Sequence, residues 1–239
     1  MSMTTPMKKA FRRGFRDCSP FVAIVIPYAL LFGVVARDAG LAVYEVMSMS
    51  ILVIAGASQF TALALMQEHA PVFIVLLAAL AVNMRMAMYS AALVPHLGKA
   101  PMRLRVLMAY LMVDQSFAVS VKTYEEEPRM PLEEKIAYYF GCVLAVCPLW
   151  YLCTFTGAMI GQAIPAHLSL DFAIPVCFIA LVAPMMRSLP HVVAAFVSVL
   201  GAILFSWMPY NLWLIVAGCL AMAAGAQMEF YLERRAKRA

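Results

Sequence analysis

Eight apolar runs, near residues 20–36, 43–66, 72–94, 106–122, 136–161, 172–186, 190–207 and 210–228, take up most of this 239-residue chain. About 20 helical residues at 1.5 Å rise cross a hydrocarbon core about 30 Å thick, and most of the runs approach that length. They do not alternate polar and apolar residues, which argues against a β-barrel and leaves helices as the spanning structure. The chain is 64% hydrophobic with a mean hydropathy of +0.85, well above the roughly 45–50% apolar content of soluble domains. The expected fold is therefore all-α: one integral membrane domain over residues 1–239, a polytopic helical bundle of about 7–8 segments in the lipid bilayer.

Apart from Arg85 and Asp114, nearly all charge falls in the gaps and ends. Lys8, Lys9, Arg12, Arg13 and Arg16 fall in a basic tail over 1–19, and Arg234, Arg235, Lys237 and Arg238 in another over 229–239. The formal charge of +5 follows from these ends, so it does not imply a nucleic-acid partner. Under the positive-inside rule both termini are cytoplasmic, which an even number of crossings satisfies. The acidic gap over 125–134 would lie on the same side. One loop objects: Lys99, Arg103 and Arg105 would be outside if every run crossed once. Either the rule is broken locally there, or one early run is re-entrant or broken rather than spanning, with another later to bring the C-terminus back inside.

The N-terminus has the basic-then-apolar order of a signal peptide, but Pro27 interrupts the apolar part and Ala36-Arg37-Asp38 follows it, so a retained first helix is expected. The six cysteines mostly lie inside apolar runs without metal-like pairing, as small buried hydrophobes do. His69, His96, His167 and His191 match no metal spacing either, so no metal or cofactor is expected. Trp207, Tyr210 and Trp213 have the placing of an interfacial aromatic belt.

Prolines 27, 148, 175 and 184 sit within runs, and Pro190 opens one. Proline removes a backbone donor and frees a carbonyl a turn earlier, so interrupted helices are expected, though proline is also simply commoner in membrane helices. A short, interrupted segment in each half is the pointer to an inverted-repeat transporter. The sixth run and the Gly56–Phe60 region are the candidates, with similarity between the halves too weak to claim a repeat.

Four polar features lie within or at the edge of apolar runs. Gly56-Ala57-Ser58-Gln59-Phe60 combines small residues, which allow close backbone approach, with the costlier Gln59. Asn83 and Arg85 lie in the third run, Asp114 and Gln115 in the fourth. An ionisable side chain at bilayer depth costs roughly 2.5–3.5 kcal/mol on insertion scales and needs a partner or a wet cavity. Arg85 and Asp114 lie at similar distances from their shared loop, about 15 Å at 1.5 Å per residue, so the two are expected to pair or to share one cavity. The fourth feature, Ser169-Leu170-Asp171-Phe172, reads best as a helix start capped by Asp171.

At these residues the chain resembles the AzlC-like family of branched-chain amino acid permeases: Gly-Ala-Ser-Gln-Phe at 56–60, Asn-Met-Arg at 83–85 with Tyr89, Asp114 in the next helix, and Leu-Asp-Phe at 170–172. The resemblance extends over most of the chain. It implies a bacterial inner-membrane exporter of leucine, isoleucine and valine, often also methionine, working beside a small AzlD-like membrane subunit. It also implies secondary transport driven by the proton gradient, and no Gly-x-x-x-x-Gly-Lys-Ser/Thr motif is present to suggest ATP use. Where many relatives have Asp-Glu, this chain has Asp114-Gln115, which leaves Asp114 as the proton-coupling candidate. A transport pathway through Gly56, Ser58, Gln59, Asn83, Arg85, Asp114 and Gln115 is expected. Other readings are an exporter or channel for another small metabolite, a structural membrane subunit, and an intramembrane protease using Ser58 and His191. The last requires those two side chains within hydrogen-bond reach.

Overall fold

The computed structural model describes residues 5–161, 186, 188–208 and 213–236. Its helices are α1 (Thr5–Cys18), α2 (Val22–Asp38), α3 (Val43–Leu52), α4 (Gly56–Gln67), α5 (Val72–Leu97), α6 (Met102–Tyr110), α7 (Asp114–Glu126), α8 (Leu132–Gly161), α9 (Leu189–Phe205) and α10 (Trp213–Ala236), with no strand among the described residues. Among the described residues, three stretches are long and apolar enough to cross a membrane: Thr5–Asp38, Val72–Leu97 and Leu132–Gly161. The sixth apolar run, with Asp171, Pro175 and Pro184, lies outside the described residues. The chain divides into two compact units, Met1–Phe60 with Val82–Leu170, and Thr61–Ala81 with Asp171–Ala239.

In the first unit, the basic segment expected as a tail is helical. Ala10, Gly14 and Cys18 recur every four residues and are buried, giving α1 a stripe of small side chains that lets it pack closely. A short 3-10 turn, Ser19–Phe21, joins it to α2. The resulting rod runs parallel to α8, with main chain against main chain. A Cβ on Gly14 would lie 2.1 Å from the Tyr138 carbonyl oxygen, and one on Gly141 2.1 Å from that of Phe11. Farther along, a Cβ on Gly33 would lie 2.2 Å from the Thr154 oxygen, and one on Gly157 2.1 Å from that of Leu30. Close packing of this kind drives helix association where lipid removes the hydrophobic incentive.

Pro27 and Pro148 both lie inside continuous helices, the outcome that the commonness of proline in membrane helices favours for any single proline. Neighbouring helices can shelter the backbone groups that proline frees, which removes the need for a break. The breaks occur instead at 53–55 and 111–113, where there is no proline, with extended backbone at Val53 (φ −136°) and Val113 (φ −126°).

Each break is the tip of a half-depth hairpin. Met108 meets Tyr139 and Leu111 meets Cys147, so α6 climbs alongside α8 from its Leu132 end. Then Ser120 meets Cys142, Thr123 meets Tyr138 and Tyr124 meets Lys135, so α7 descends to the same end. At 9 and 13 residues these helices are about 14 and 20 Å long, short of a crossing. The α3–α4 hairpin enters from the opposite end. Gly56 faces Tyr28, and Phe60 packs on Tyr28 and Phe32, so α4 follows α2 toward the Gly161 end of α8. The tips touch where the Tyr110 hydroxyl donates to the Ile51 carbonyl at 2.6 Å. Among the described residues the α6–α7 hairpin is the element that meets the α3–α4 hairpin tip to tip; the sixth run, the expected counterpart of Gly56–Phe60, lies outside them.

This arrangement accounts for the loop that defied the charge rule. His96, near the end of α5, packs 5.4 Å from Tyr124, and Arg13 of α1 pairs with Glu127 at 2.6 Å. Lys99, Arg103 and Arg105 thus share the Leu132 end with the basic N-terminal helix, because α6 and α7 return without crossing.

In the second unit, α9 and α10 pack antiparallel through small residues, Gly201 on Ala217 and Gly225 on Ala194. Ser188 and His191 hydrogen-bond to each other at the start of α9. Trp207 is exposed, and Tyr210 lies outside the described residues.

Gly33→Ala and Gly157→Ala must each push α2 away from α8, at a cost of about 1–3 kcal/mol. Thermal unfolding in detergent should show a clear fall in midpoint for both. Gly218→Ala, where a Cβ meets nothing within 4 Å, should leave the midpoint unchanged.

Candidate functional site

The tips of the two hairpins carry most of the residues singled out in the sequence. Val113 is extended, and the chain re-enters a helix at Asp114. Ser116 fixes the corner: its hydroxyl accepts from the Val113 N–H at 3.1 Å and donates to the Val113 carbonyl at 2.9 Å. The carbonyls around the end of α6 also find partners, Met108 from the Tyr139 hydroxyl at 2.8 Å and Leu111 from the Cys147 thiol at 3.6 Å. Asp114 is thus the first residue of a half-helix, where backbone N–H groups and the helix dipole favour a negative charge.

Its partner comes from α5. Arg85 Nη2 lies 3.2 Å from Asp114 Oδ2, with the two side chains 24% and 34% exposed. The pair is partly sheltered yet still reachable, and it is not saturated: Arg85 Nε and Asp114 Oδ1 are buried atoms without a hydrogen-bond partner among the described residues. One turn along α5, Tyr89 stacks on Phe117 of α7, ring centroids 4.1 Å apart and planes 10° from parallel. That stack holds the two helices together beside the charges. Asn83 is half-buried, and its Oδ1 is likewise without a partner. Gln115 is half-buried in the first turn of α7.

The other tip is held by amide and aromatic contacts. Gln59 is fully buried, and its Nε2 donates to Ser50 Oγ at 2.9 Å, tying α4 back to α3 across the break; its Oε1 has no partner among the described residues. Gly56 is required by close approach, since a Cβ there would lie 2.5 Å from the Tyr28 ring and 2.6 Å from the Trp150 ring. Phe60 and Trp150 pack on Tyr28 with ring centroids 5.0 and 5.9 Å away, and Ser58 is buried in the first turn of α4.

The structure therefore brings Arg85 and Asp114 together as the spacing predicted, and assigns Gly56 and Gln59 to the neighbouring tip. Sequence reasoning missed Ser50, Tyr110, Tyr139 and Trp150. Three are aromatic side chains in apolar runs, where they read as core. Only the position of the breaks shows that they supply donors and shape to hairpin ends. Asp171 lies outside the described residues, and His191 is engaged by Ser188.

These features define an all-helical membrane protein whose discontinuous helices bring a charged pair to a hairpin tip. A family model described as AzlC protein matches residues 20–164, and the chain belongs to the AzlC family. It is 30% identical over 224 residues to "Inner membrane protein YgaZ" of Escherichia coli, covering 90% of each chain. It is also 30% identical over 191 residues to an uncharacterized membrane protein of Archaeoglobus fulgidus, covering 77% of this chain and 80% of the other. A Helicobacter pylori membrane protein shows 27% identity over 165 residues, 67% of this chain and 68% of that one. No solved structure matches the chain.

Removing one member of a fully buried ion pair costs about 3–5 kcal/mol; the partial exposure of Arg85 and Asp114 should keep the loss below that. Arg85→Ala and Asp114→Ala should each reduce folded yield, and the exchange Arg85→Asp with Asp114→Arg should restore part of it, the helix N-terminus opposing a cation at 114, as read by size-exclusion chromatography in detergent. At the other tip, Ser50→Ala leaves the buried Gln59 amide without its acceptor, for a loss of about 1–3 kcal/mol in thermal unfolding.

Proposed function

We propose that this protein is a secondary exporter of branched-chain amino acids (leucine, isoleucine and valine, with methionine), working in a bacterial cytoplasmic membrane as the large subunit beside a small AzlD-like membrane protein. The observation that carries this reading is the unsaturated pair at the hairpin tip. Asp114 keeps a free acceptor and Arg85 a free donor, which suits the ammonium and carboxylate of a zwitterionic amino acid. Such a ligand can bind beside the pair without leaving either charge unpartnered in a sheltered place. Asn83 adds a further acceptor, and the Tyr89–Phe117 stack provides an apolar wall nearby.

Discontinuous helices that present their ends at mid-depth are the usual framework of substrate sites in secondary transporters. Asp114 also suits proton coupling: once protonated it releases Arg85, and the electrostatic tie between α5 and the α6–α7 hairpin weakens. Membership of the AzlC family supports transport as the activity, and the branched-chain substrate rests on the family resemblance. Both termini and the basic α5–α6 loop are assigned to the cytoplasmic side, in keeping with the positive-inside rule.

The test is efflux of radiolabelled valine or leucine from preloaded cells producing this protein with its small partner. Efflux should rise above that of cells lacking the pair and collapse when the proton gradient is dissipated; unchanged efflux would exclude the substrate. Asp114→Asn should abolish the response to the gradient while folded protein remains. The Arg85→Asp with Asp114→Arg exchange should restore part of the folded protein without efflux, since a purely structural pair would restore both.

A further inference from the structure

We propose that the groove between α5 and α6 is a binding site for an anionic phospholipid, with an acyl chain lying in the groove and the phosphate held at Arg105. The groove encloses about 190 Å³ and is lined by Leu93, Val94 and Leu97 from α5 and by Met108, Ala109 and Met112 from α6 and the hairpin tip. Tyr139, fully buried, contributes from α8, and Arg105 lies among the lining residues at the loop end. Around it Val94, Met102 and Val106 are strongly exposed apolar side chains, as expected of a surface bathed in hydrocarbon.

Charge determines which amphiphile fits. Lys99, Arg103 and Arg105 lie in one short stretch and are exposed, and among the described residues none of the three pairs with a carboxylate. The Arg105 guanidinium rests instead on the Met102 thioether at 3.3 Å. No acidic side chain lines the groove. A zwitterionic amino acid would find no counter-charge there for its ammonium, and a choline headgroup would meet like charges. An anionic headgroup meets only cations, which is how basic pockets between transmembrane helices hold lipid headgroups.

Depth agrees with this assignment. The loop carrying Lys99 lies at the Leu132 end of α8, and Met112 lies at the hairpin tip, about 15 Å farther along at 1.5 Å per residue. A lipid of that leaflet, headgroup at the surface and chain toward the midplane, follows the same course. Met112 is two residues from Asp114, so the chain would end beside the tip that carries the charged pair.

Native mass spectrometry of the detergent-purified protein tests this with added dioleoyl phosphatidylglycerol and dioleoyl phosphatidylcholine. Phosphatidylglycerol should be retained at least tenfold more tightly. The variant Lys99→Gln with Arg103→Gln and Arg105→Gln should lose that preference, at about fivefold per charge removed. Ala109→Trp, which fills the groove and leaves the charges, should also displace the lipid. Thermal unfolding without added lipid checks that both variants are folded. A photoactivatable phosphatidylglycerol, used on the unaltered protein, should label peptides containing Leu93, Val94 or Met112. Equal retention of the two lipids, an unchanged charge variant, or labelling confined to other helices would overturn the proposal. Loss in the charge variant with none in a folded Ala109→Trp protein would overturn it too, since the lipid would then be held by surface charge alone.

Discussion

A helix that stops halfway through a bilayer leaves backbone groups where no water can reach them, and the architecture of the first unit follows from meeting that need. α8 supplies most of the answer. Its Tyr139 and Cys147 serve the carbonyls of α6, and its Tyr151 lies 3.4 Å from the Tyr110 hydroxyl that serves α3. Trp150, from the same turn, packs over Gly56 at the other tip. One helix thus carries donors for one hairpin and aromatic packing for the other, and both hairpins, approaching from opposite ends, stop near its middle.

The charged pair belongs to the same solution. Asp114 begins a half-helix, so the end that would otherwise be costly becomes a place where a carboxylate is favoured. Arg85 then makes the carboxylate tolerable at that depth, and each group justifies the other. The returning helices open on related residues, Gly-Ala-Ser-Gln-Phe for α4 and Asp-Gln-Ser-Phe for α7. In one the first position admits two aromatic rings; in the other it holds a charge. Opposed hairpins with one polar and one aromatic tip give the middle of the molecule two different surfaces.

Much of this was legible in the sequence, and the reasons are specific. The runs gave the helical class, because their length and lack of alternation leave few other structures. Counting from the shared loop placed Arg85 and Asp114 together even though α6 does not continue through, since the two helices leave that loop side by side. The breaks were not legible. Proline marks where a helix can yield, but Pro27 and Pro148 are accommodated, whereas the yielding segments 53–55 and 111–113 consist of ordinary apolar residues. What stops a helix there is the tertiary offer of other partners, and no local residue announces it. The basic N-terminal segment was misread for a similar reason: its stripe of Ala10, Gly14 and Cys18 has meaning only opposite the glycines of α8.

The glycine contacts between the α1–α2 rod and α8 have a mechanical consequence. Backbones that touch at two well-separated levels cannot slide past each other without a clash, so this pair of helices behaves as a stiff strut. The hairpins are fastened differently, by single hydrogen bonds, one aromatic stack and one ion pair, links that break and re-form at far smaller cost. Any motion within this unit must therefore be concentrated in the hairpins, each rocking about its own end of the strut. The lever arms are short, about 14–20 Å, and a small tilt at the base is enough to part the tips.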